Sequence, residues 1–404
     1  MATEEELVDL NGQVYRVDHN YKKEGKSTKD INKGQVLEAG GQDFKVLSTS
    51  NDEQLGSAIY REPLPNGGYR DVPYTTNDSL GFSGMAVAPI KKGVVDYGNV
   101  TVVAAATNPA SPADLQGAVQ SIIGNSTQYD VAERYLLTLM KVHPDWQINQ
   151  LSGYSQSAYM LKIGAKYHIP ATVFHGWFNY NTLTKAERTY MNAHMAQYIN
   201  YRAHEEEVGG KFVISHDAQN TAGSVYYIGG VTSHLLGSFK FEKNGNIKFN
   251  IDDAKGEKKI ANLQASIAKS SGGKRIALRT SLIHTVSKHA KDLAQGYESA
   301  VKAELDKVET DIENIVQEIN QGAYMIQNYL QGWEVNQLIQ NYQKSDFWDK
   351  GLEASIKQEV SNYKHQLFDF SNTLTAISRR MVDYDSQEGA RLFKQDITAR
   401  GKVR

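Results

Sequence analysis

The stretch QINQLSGYSQSAYMLKIGAKYH, residues 147–168, decides how the rest of the chain is interpreted. Its first residues have the short apolar pattern of a strand, its middle is rich in Gly and Ser, and its end has helical apolar spacing. This order predicts a strand, a sharp turn and a helix. A serine on such a turn projects its hydroxyl above the sheet, and the next backbone N–H helps to hold an oxyanion. We therefore predict Ser155 as a nucleophile and the N–H of Gln156 as an oxyanion donor.

The turn departs from the usual Gly-x-Ser-x-Gly pattern at its last position. Ser157 stands where a glycine normally lies in close contact with the neighbouring strand. Serine is the next smallest residue that such a position tolerates. The bare pattern carries little weight, because an ordinary strand-loop-helix crossover with a hydroxyl cap has the same sequence features. The interpretation therefore depends on finding a base and an orienting acid further along the chain.

Both groups occur downstream, in the order Ser, Asp, His that is typical of hydrolases with this turn. Asp217 follows a strand-like run and is the predicted orienting acid. His234 lies in a Gly-rich loop before a second predicted strand, Ser238–Phe241, and is the predicted general base. An imidazole with an unperturbed pKa of about 6.5 can accept the serine proton and return it at neutral pH. The competing bases are His216, which is adjacent to the acid, and His175, which ends another predicted strand.

A second oxyanion donor is expected in the loop after an early central strand. Residues 99–106 form a continuous apolar run, which is typical of a strand buried on both faces. The run leads into Thr107-Asn108-Pro109, so the backbone N–H of Thr107 or Asn108 is the candidate donor. A simple turn opened by Asn-Pro has the same sequence. Helical spacing over Asp130–Val142 completes an alternating α/β order.

These residues resemble the lipase class of the α/β-hydrolase fold. The resemblance rests on Gln128-x-x-x-Ala132-x-x-Tyr135-Leu136 followed by Leu151-Ser152-Gly153-Tyr154-Ser155, and it covers about residues 82–249. Tyr154 stands where this class commonly has a histidine, and Ser157 replaces the last glycine. The resemblance implies an α/β-hydrolase domain that cleaves ester bonds in lipids or phospholipids at a membrane surface. It also implies that no metal or organic cofactor is needed.

Access to the serine is expected to depend on residues 176–208, a stretch rich in aromatic residues and methionine. Such a segment can act as a lid or line an acyl pocket, since methionine adapts to varied chains. The candidate residues are Trp177, Phe178, Met191 and Met195. A crossover helix whose aromatic side chains belong to the core is the alternative.

The chain changes character after residue 249. All eight prolines lie at or before Pro170, and charged or Gly/Ser-rich segments within residues 256–275 predict a solvated linker. We therefore predict a hydrolase domain over residues 1–255 and a separate all-α domain over residues 276–404.

Two long amphipathic helices are predicted in that second domain. Apolar residues recur at spacings of three and four through Leu305–Trp333 and again through Leu352–Tyr384. Residues 341–351 can turn the chain, so an antiparallel helical hairpin follows. Its uncovered aromatic side chains need a further partner, which is the hydrolase domain, another copy of the chain or a small helical protein, unless residues 276–300 pack on the hairpin as a third helix.

A lipase-like domain followed by a helical hairpin resembles the lipase toxins that type VII secretion systems of Gram-positive bacteria export, with an LXG-like targeting domain at the C-terminus. Leu330-Gln331-Gly332-Trp333 fits the Leu-x-Gly signature. The resemblance implies that small WXG100-like helical proteins bind residues 276–404 and that a cognate immunity protein exists. It also implies synthesis in the cytoplasm and secretion by the type VII route without a signal peptide.

The composition excludes some classes of function. The 404-residue chain has no cysteine, which excludes thiol catalysis and cysteine-ligated metal, and its histidines lack a helical pairing with an acid. We therefore predict no metal site. The formal net charge of −2 gives no support for nucleic-acid binding. The acidic N-terminus is followed by no apolar signal-peptide core, and no run approaches the roughly 20 apolar residues of a membrane span.

The sequence thus predicts a serine hydrolase that cleaves lipid esters through an acyl-enzyme on Ser155. Two alternatives stay open. One is a non-catalytic helical interaction protein that carries a degenerate hydrolase body, and the other is amidase or thioesterase chemistry on the same residues.

Overall fold

A computed structural model gives the architecture of the protein. It describes residues 1–18, 21–23, 26–27, 29–50, 59–63, 69–73, 82–108, 127–203, 221–231, 234–326, 328–340 and 342–401. The chain divides into two compact units, Met1–Gly272 and Gly273–Arg404. The first is an α/β domain and the second is helical, which confirms the predicted fold class.

The regular elements of the first unit are as follows. The strands are β1 (Lys22–Lys23), β2 (Lys26–Ser27), β3 (Val36–Ala39), β4 (Gln42–Thr49), β5 (Ile59–Pro63), β6 (Tyr69–Pro73), β7 (Gly84–Lys91), β8 (Val94–Val95), β9 (Val100–Ala104), β10 (Ile148–Tyr154), β11 (Ala171–Phe174), β12 (Tyr198–Ala203) and β13 (Ser224–Ile228). The α-helices are α1 (Glu4–Gln13), α2 (Thr127–Val142), α3 (Met160–Tyr167), α4 (Lys185–Ala193) and α5 (Gly256–Ala268).

A nine-stranded mixed sheet forms the centre of this unit, in the order β13-β12-β11-β10-β9-β7-β4-β3 with β8 paired to β7. Strands β9 to β13 are parallel, and β3, β4, β7 and β8 pair in antiparallel fashion. Every residue of β9, β11, β12 and β13 is buried, as expected for parallel strands covered on both faces. The parallel strands end at one edge of the sheet, where ligands and catalytic groups of such folds are found.

Helices cover both faces of the sheet. Leu136 of α2 and Ile163 of α3 belong to the apolar core on one face. Leu7 and Leu10 of α1 are buried in the clusters on the other face. Helix α1 is also held by polar contacts, because the amide of Asn11 donates to the Ser152 hydroxyl of β10 at 2.7 Å.

Glu4, the first residue of α1, joins the N-terminus to the last part of the unit. Its carboxylate accepts hydrogen bonds from the Tyr201 hydroxyl and from the Ile247 N–H, the latter at 2.6 Å. Lys269 lies 3.3 Å from the same carboxylate and donates to the Tyr201 hydroxyl at 3.0 Å. Burial and the neighbouring Glu4 charge raise the pKa of Tyr201 well above its usual value, so this hydroxyl stays a donor.

The predicted linker, residues 256–275, was mostly wrong. Residues 256–268 form α5, which packs on β13, with Leu263 and Ala265 buried. The Asn262 side chain accepts from the Tyr227 N–H at 2.7 Å and donates to the Tyr227 carbonyl at 2.9 Å. The Asn262 amide thus provides hydrogen-bond partners for both backbone groups of Tyr227 in β13, the outer parallel strand. The charged residues that suggested a linker form the outer face of an amphipathic helix, and the boundary between units lies at Gly272–Gly273.

The predicted strand Ser238–Phe241 was also wrong. Leu236–Ser238 form a short 3-10 helix, and Phe241 makes only an isolated bridge to Ile247. Phe239 in this stretch is buried, and its ring packs edge-on against that of Phe174, with 5.7 Å between the ring centroids.

The second unit consists of α6 (Gly272–Met325), α7 (Gly332–Gln340), α8 (Lys344–Phe347) and α9 (Lys350–Gly401). Helices α6 and α9 run antiparallel, as predicted. Ser287 contacts Ser371 at 2.6 Å, and further along Glu298 pairs with Lys364 at 2.6 Å. Residues 276–300 are not a third helix, because they are part of α6. Among the described residues, no helix combines the length and apolar character needed to cross a membrane.

Candidate functional site

Ser155 lies directly after β10, at the edge where the parallel strands end. Its φ of 54° is in the left-handed region, which side chains other than glycine rarely adopt. The residue opens the 3-10 turn Ser155–Tyr159, and α3 follows at once. Its carbonyl accepts a hydrogen bond from the Trp177 N–H at 3.0 Å, which helps to hold the strained turn. This is the strand, turn and helix arrangement that projects a serine hydroxyl from a sheet.

The residues on either side of Ser155 explain why the turn tolerates Ser157. A Cβ atom on Gly153 would lie 2.3 Å from the Ser157 carbonyl oxygen, so only glycine fits there. Ser157 itself is fully buried, and its hydroxyl accepts from the Tyr154 N–H at 2.7 Å. The same hydroxyl donates to the Ala104 carbonyl of β9 at 2.9 Å or to the Tyr154 carbonyl at 3.0 Å. The serine therefore ties the turn to β9, a bond that a glycine cannot form.

His234 is positioned to act on the Ser155 hydroxyl. Its Nε2 lies 2.9 Å from Ser155 Oγ, within hydrogen-bonding distance. The Ser155 side chain is nearly buried, and that of His234 is half-buried. A histidine and a serine in this relation can transfer the serine proton as Oγ attacks an electrophile.

Three rings surround the His234 imidazole. The ring centroid of Trp177 lies 4.9 Å from that of His234, and those of Tyr154 and His175 each lie 5.2 Å away. His175 directly follows β11 with a φ of 46° and is fully buried, and its backbone N–H donates to the Tyr201 carbonyl at 2.6 Å. Of the two described histidines that competed for the role of base, His234 makes the bond to Ser155.

The predicted oxyanion residues lie at the same edge of the sheet. Gln156 is buried, and its side-chain amide donates to the Gln128 side chain at 3.1 Å. Thr107 and Asn108 follow β9, whose last carbonyl receives the Ser157 hydroxyl. The Asn108 side chain donates to the Asp18 carboxylate at 2.7 Å, which restrains this loop.

The predicted acid, Asp217, lies outside the described residues, together with His216 and the strand-like run of residues 211–215. The described chain leaves β12 at Ala203 and returns to the neighbouring parallel strand β13. The assignment of Asp217 as the orienting acid stays a prediction.

The four residues of the candidate lid have different environments. Phe178 and Met191 are buried in the main core, and Met195 starts a short 3-10 helix with its side chain half-buried. Trp177 contacts His234. Within residues 176–203, the prediction of an inserted segment missed β12, an inner strand whose six residues are all buried. Its polar Asn200 bonds with the backbone of Gly176 in both directions, which explains why the strand did not stand out as apolar.

Tyr154, which in the sequence is only a departure from the lipase pattern, contacts the loop of His234. Its hydroxyl donates to the backbone carbonyl of His234 at 2.6 Å. Its position next to the predicted nucleophile is a signal in the sequence, but its contact depends on a residue 80 positions further along the chain.

No group of three or more His, Asp, Glu or Cys side chains that could hold a metal ion occurs in the part of the chain that the structure describes. Comparisons with protein-family models, with curated proteins and with solved structures gave no match to this chain.

Proposed function

We propose that the first unit is a serine hydrolase that cleaves carboxylic esters of lipids, as a lipase or a phospholipase A. The observation that carries the proposal is the contact of 2.9 Å between His234 Nε2 and Ser155 Oγ, on a turn where Ser155 has a φ of 54°. A strained serine at the end of a parallel strand, paired with a histidine, is the arrangement of an activated nucleophile.

The proposed reaction has two stages, acylation of Ser155 and hydrolysis of the acyl-enzyme. His234 accepts the Ser155 proton while Oγ attacks the ester carbonyl, and the negative charge forms on the carbonyl oxygen. In the proposal, the backbone N–H groups of Gln156 and of Thr107 or Asn108 stabilise that charge. His234 then protonates the departing alcohol, and an acyl-enzyme remains on Ser155. A water molecule, deprotonated by His234, releases the acid, and Asp217 orients the imidazole throughout.

The lipid substrate is inferred from the resemblance to lipases and from apolar side chains at the site. Trp177 packs beside His234, and Leu235, which follows His234 in the chain, is 68% exposed. Apolar groups beside a catalytic histidine favour the acyl chain of a substrate over a charged group.

A short-chain p-nitrophenyl ester and mixed phospholipid vesicles test this proposal. We expect the wild-type protein to hydrolyse an ester and to react with a fluorophosphonate probe at Ser155. Ser155→Ala, His234→Ala and Asp217→Ala should each lose most of this activity, while Ser299→Ala on an exposed helical face should keep it. Wild-type protein as inert as Ser155→Ala on every ester would favour the non-catalytic alternative. Hydrolysis of amides or thioesters instead would identify the other alternative.

We also propose that residues 276–404 bind small WXG100-like helical proteins and direct export by a type VII secretion system, with an immunity protein protecting the producer. Large apolar side chains exposed on this unit support a protein partner. They include Leu293, Tyr297, Ile315, Tyr324, Met325, Tyr329, Trp333, Leu352, Tyr363, Phe370 and Tyr384. Co-expression with small helical proteins from neighbouring genes tests the proposal. If none co-purifies through residues 276–404, the export role is lost and the hydrolase proposal is unaffected.

A further inference from the structure

We propose that Tyr154 is a positioning residue, which holds the backbone of His234 so that the imidazole stays at the Ser155 hydroxyl. This inference rests on the proposed hydrolase function. It is carried by the bond of 2.6 Å from the Tyr154 hydroxyl to the His234 carbonyl.

Tyr154 is held firmly in the sheet. It is the last residue of β10 and pairs with Phe174 of the parallel neighbour β11. Its N–H donates to the buried Ser157 hydroxyl at 2.7 Å, and only 9% of its surface is exposed. The sheet therefore sets the position of both the Tyr154 ring and the adjacent nucleophile.

His234 lies in a loop, in contrast to Tyr154. It follows β13 outside regular secondary structure and precedes the short 3-10 helix Leu236–Ser238. Loop residues are more mobile than strand residues, whereas a general base must stay within hydrogen-bonding distance of the proton it removes. The Tyr154 hydroxyl fixes the His234 main chain, and the Tyr154 ring, tilted by 32° to the imidazole, limits rotation of the side chain. One residue thus ties the base to the strand that presents the nucleophile.

Positioning of His234 by Tyr154 can be distinguished from a general contribution of Tyr154 to the stability of the fold. The bond goes to the backbone of the base, so its loss should impair proton transfer more than substrate binding. Misplacing a catalytic group lowers turnover, whereas an interaction made equally with substrate and transition state changes KM. The two roles therefore predict different kinetic effects.

Tyr154→Phe keeps the ring and removes only the hydroxyl. We expect kcat on a p-nitrophenyl ester to fall about 3- to 10-fold, the range that one lost hydrogen bond produces, with KM within about 2-fold. The rate at which a fluorophosphonate labels Ser155 should fall by the same factor. Tyr198→Phe is the matched control, because the buried Tyr198 hydroxyl also donates to a backbone carbonyl, that of Gly164, at 3.2 Å. It should leave kcat unchanged.

A double variant tests whether Tyr154 acts through His234. In a His234→Ala background the hydroxyl has no base to position, so adding Tyr154→Phe should reduce the residual labelling rate no further. An equal reduction in both backgrounds would overturn the inference.

Hydrogen exchange gives a readout that does not depend on turnover. In Tyr154→Phe, amides of the peptide 234–241 should exchange faster, while those of β10 keep wild-type protection. Unchanged exchange with unchanged labelling would overturn the positioning role and leave the hydrolase proposal standing. Wild-type protein that neither hydrolyses esters nor reacts at Ser155 would overturn the hydrolase proposal, and this inference with it.

Discussion

At the scale of single residues, Ser157 stabilises the turn after β10 through its side-chain hydroxyl. It accepts from the Tyr154 N–H and donates to the Ala104 carbonyl. Ser157→Gly would restore the usual pattern but leave buried backbone groups without this partner. We expect the free energy of unfolding to fall by about 1–3 kcal/mol, measured by urea denaturation. Equal or greater stability of the glycine variant would contradict this account.

Gly153 is a position where one methyl group should distort the turn. In Gly153→Ala the new Cβ would meet the Ser157 carbonyl oxygen, and neither backbone can move without shifting Ser155. We expect a loss of stability of about 1–3 kcal/mol or more, together with slower phosphonate labelling of Ser155. Gly12→Ala is the control, because a Cβ there meets nothing within 4 Å and an alanine favours the helix. Normal labelling of Gly153→Ala would argue against a tightly fixed turn.

The order of residues along the chain was enough to propose Ser155 and His234 together, and the structure brings them into contact. The partners that hold them were not predictable in the same way. The contacts from Tyr154 to His234 and from Asn108 to Asp18 span 80 and 90 positions, and each depends on where a loop lies. Spacing rules describe neighbours within one element, so they carry no information on such bonds.

At the scale of elements, a buried hydroxyl cluster sets the register of α6 against α9. Ser287 Oγ contacts Ser371 Oγ at 2.6 Å and Thr375 Oγ1 at 3.0 Å, and Ser371 also donates to the Ser287 carbonyl. We expect Ser287→Ala to lower the free energy of unfolding by about 1–2 kcal/mol, because it leaves the buried hydroxyls of Ser371 and Thr375 without their hydrogen-bond partner. The double variant Ser287→Ala/Ser371→Ala should cost less than the two single changes together. Thermal unfolding of the full chain, followed by helical circular dichroism, measures these effects, and strict additivity would contradict the coupling.

Glu298 makes the same helix pair sensitive to acid. The side chain of Lys364, and then that of Lys302, holds the pKa of Glu298 at about 2. A carboxyl whose folded pKa lies below its unfolded value of about 4.3 stabilises the fold above that value, and the contribution is lost as the pH falls.

We therefore expect the melting temperature of the helical transition to fall between about pH 5 and pH 2. Glu298→Gln should flatten this dependence in thermal unfolding at a series of pH values, and added salt should weaken it in the wild type. The same pH dependence in wild type and Glu298→Gln would assign the effect to other carboxyls.

The elements that sequence patterns predicted best are those in which the buried residues are mainly apolar. The predicted strand before His175, Ala171–Phe174, is apolar except for Thr172 and matches β11 at both ends, and Asp130–Val142 matches α2 to within one turn. The misassigned elements contain polar or charged residues beside buried ones. In β12, buried Asn200 interrupts the apolar run, and in α5 the charged outer face hid the buried residues. A hydrophobic pattern only distinguishes polar from apolar residues. Whether a polar residue can be buried depends on hydrogen-bond partners elsewhere in the fold, which the pattern does not show.

At the scale of the whole molecule, the first unit contains its own core. Its three apolar clusters use only residues up to Ala265. We therefore expect a chain truncated after Gly272 to fold and to keep ester hydrolysis of the same order as the full chain, while losing any helical partner. Circular dichroism, phosphonate labelling and co-purification measure these properties. An aggregated or unreactive fragment would show that residues 273–404 are needed for folding or for catalysis.

The bond network around Glu4 has a consequence for the order in which the protein matures during synthesis. The first helix of the chain finds its partners at Tyr201, Ile247 and Lys269, so contacts of very large sequence separation close the domain. Such contacts form late and slow the folding of a chain. During synthesis, Leu10 of this helix can pack as soon as residues 14–105 are made, whereas the Glu4 carboxylate lacks its partners until Lys269 is added. We therefore expect the nascent domain to stay incomplete, and open to chaperones, until Lys269 emerges.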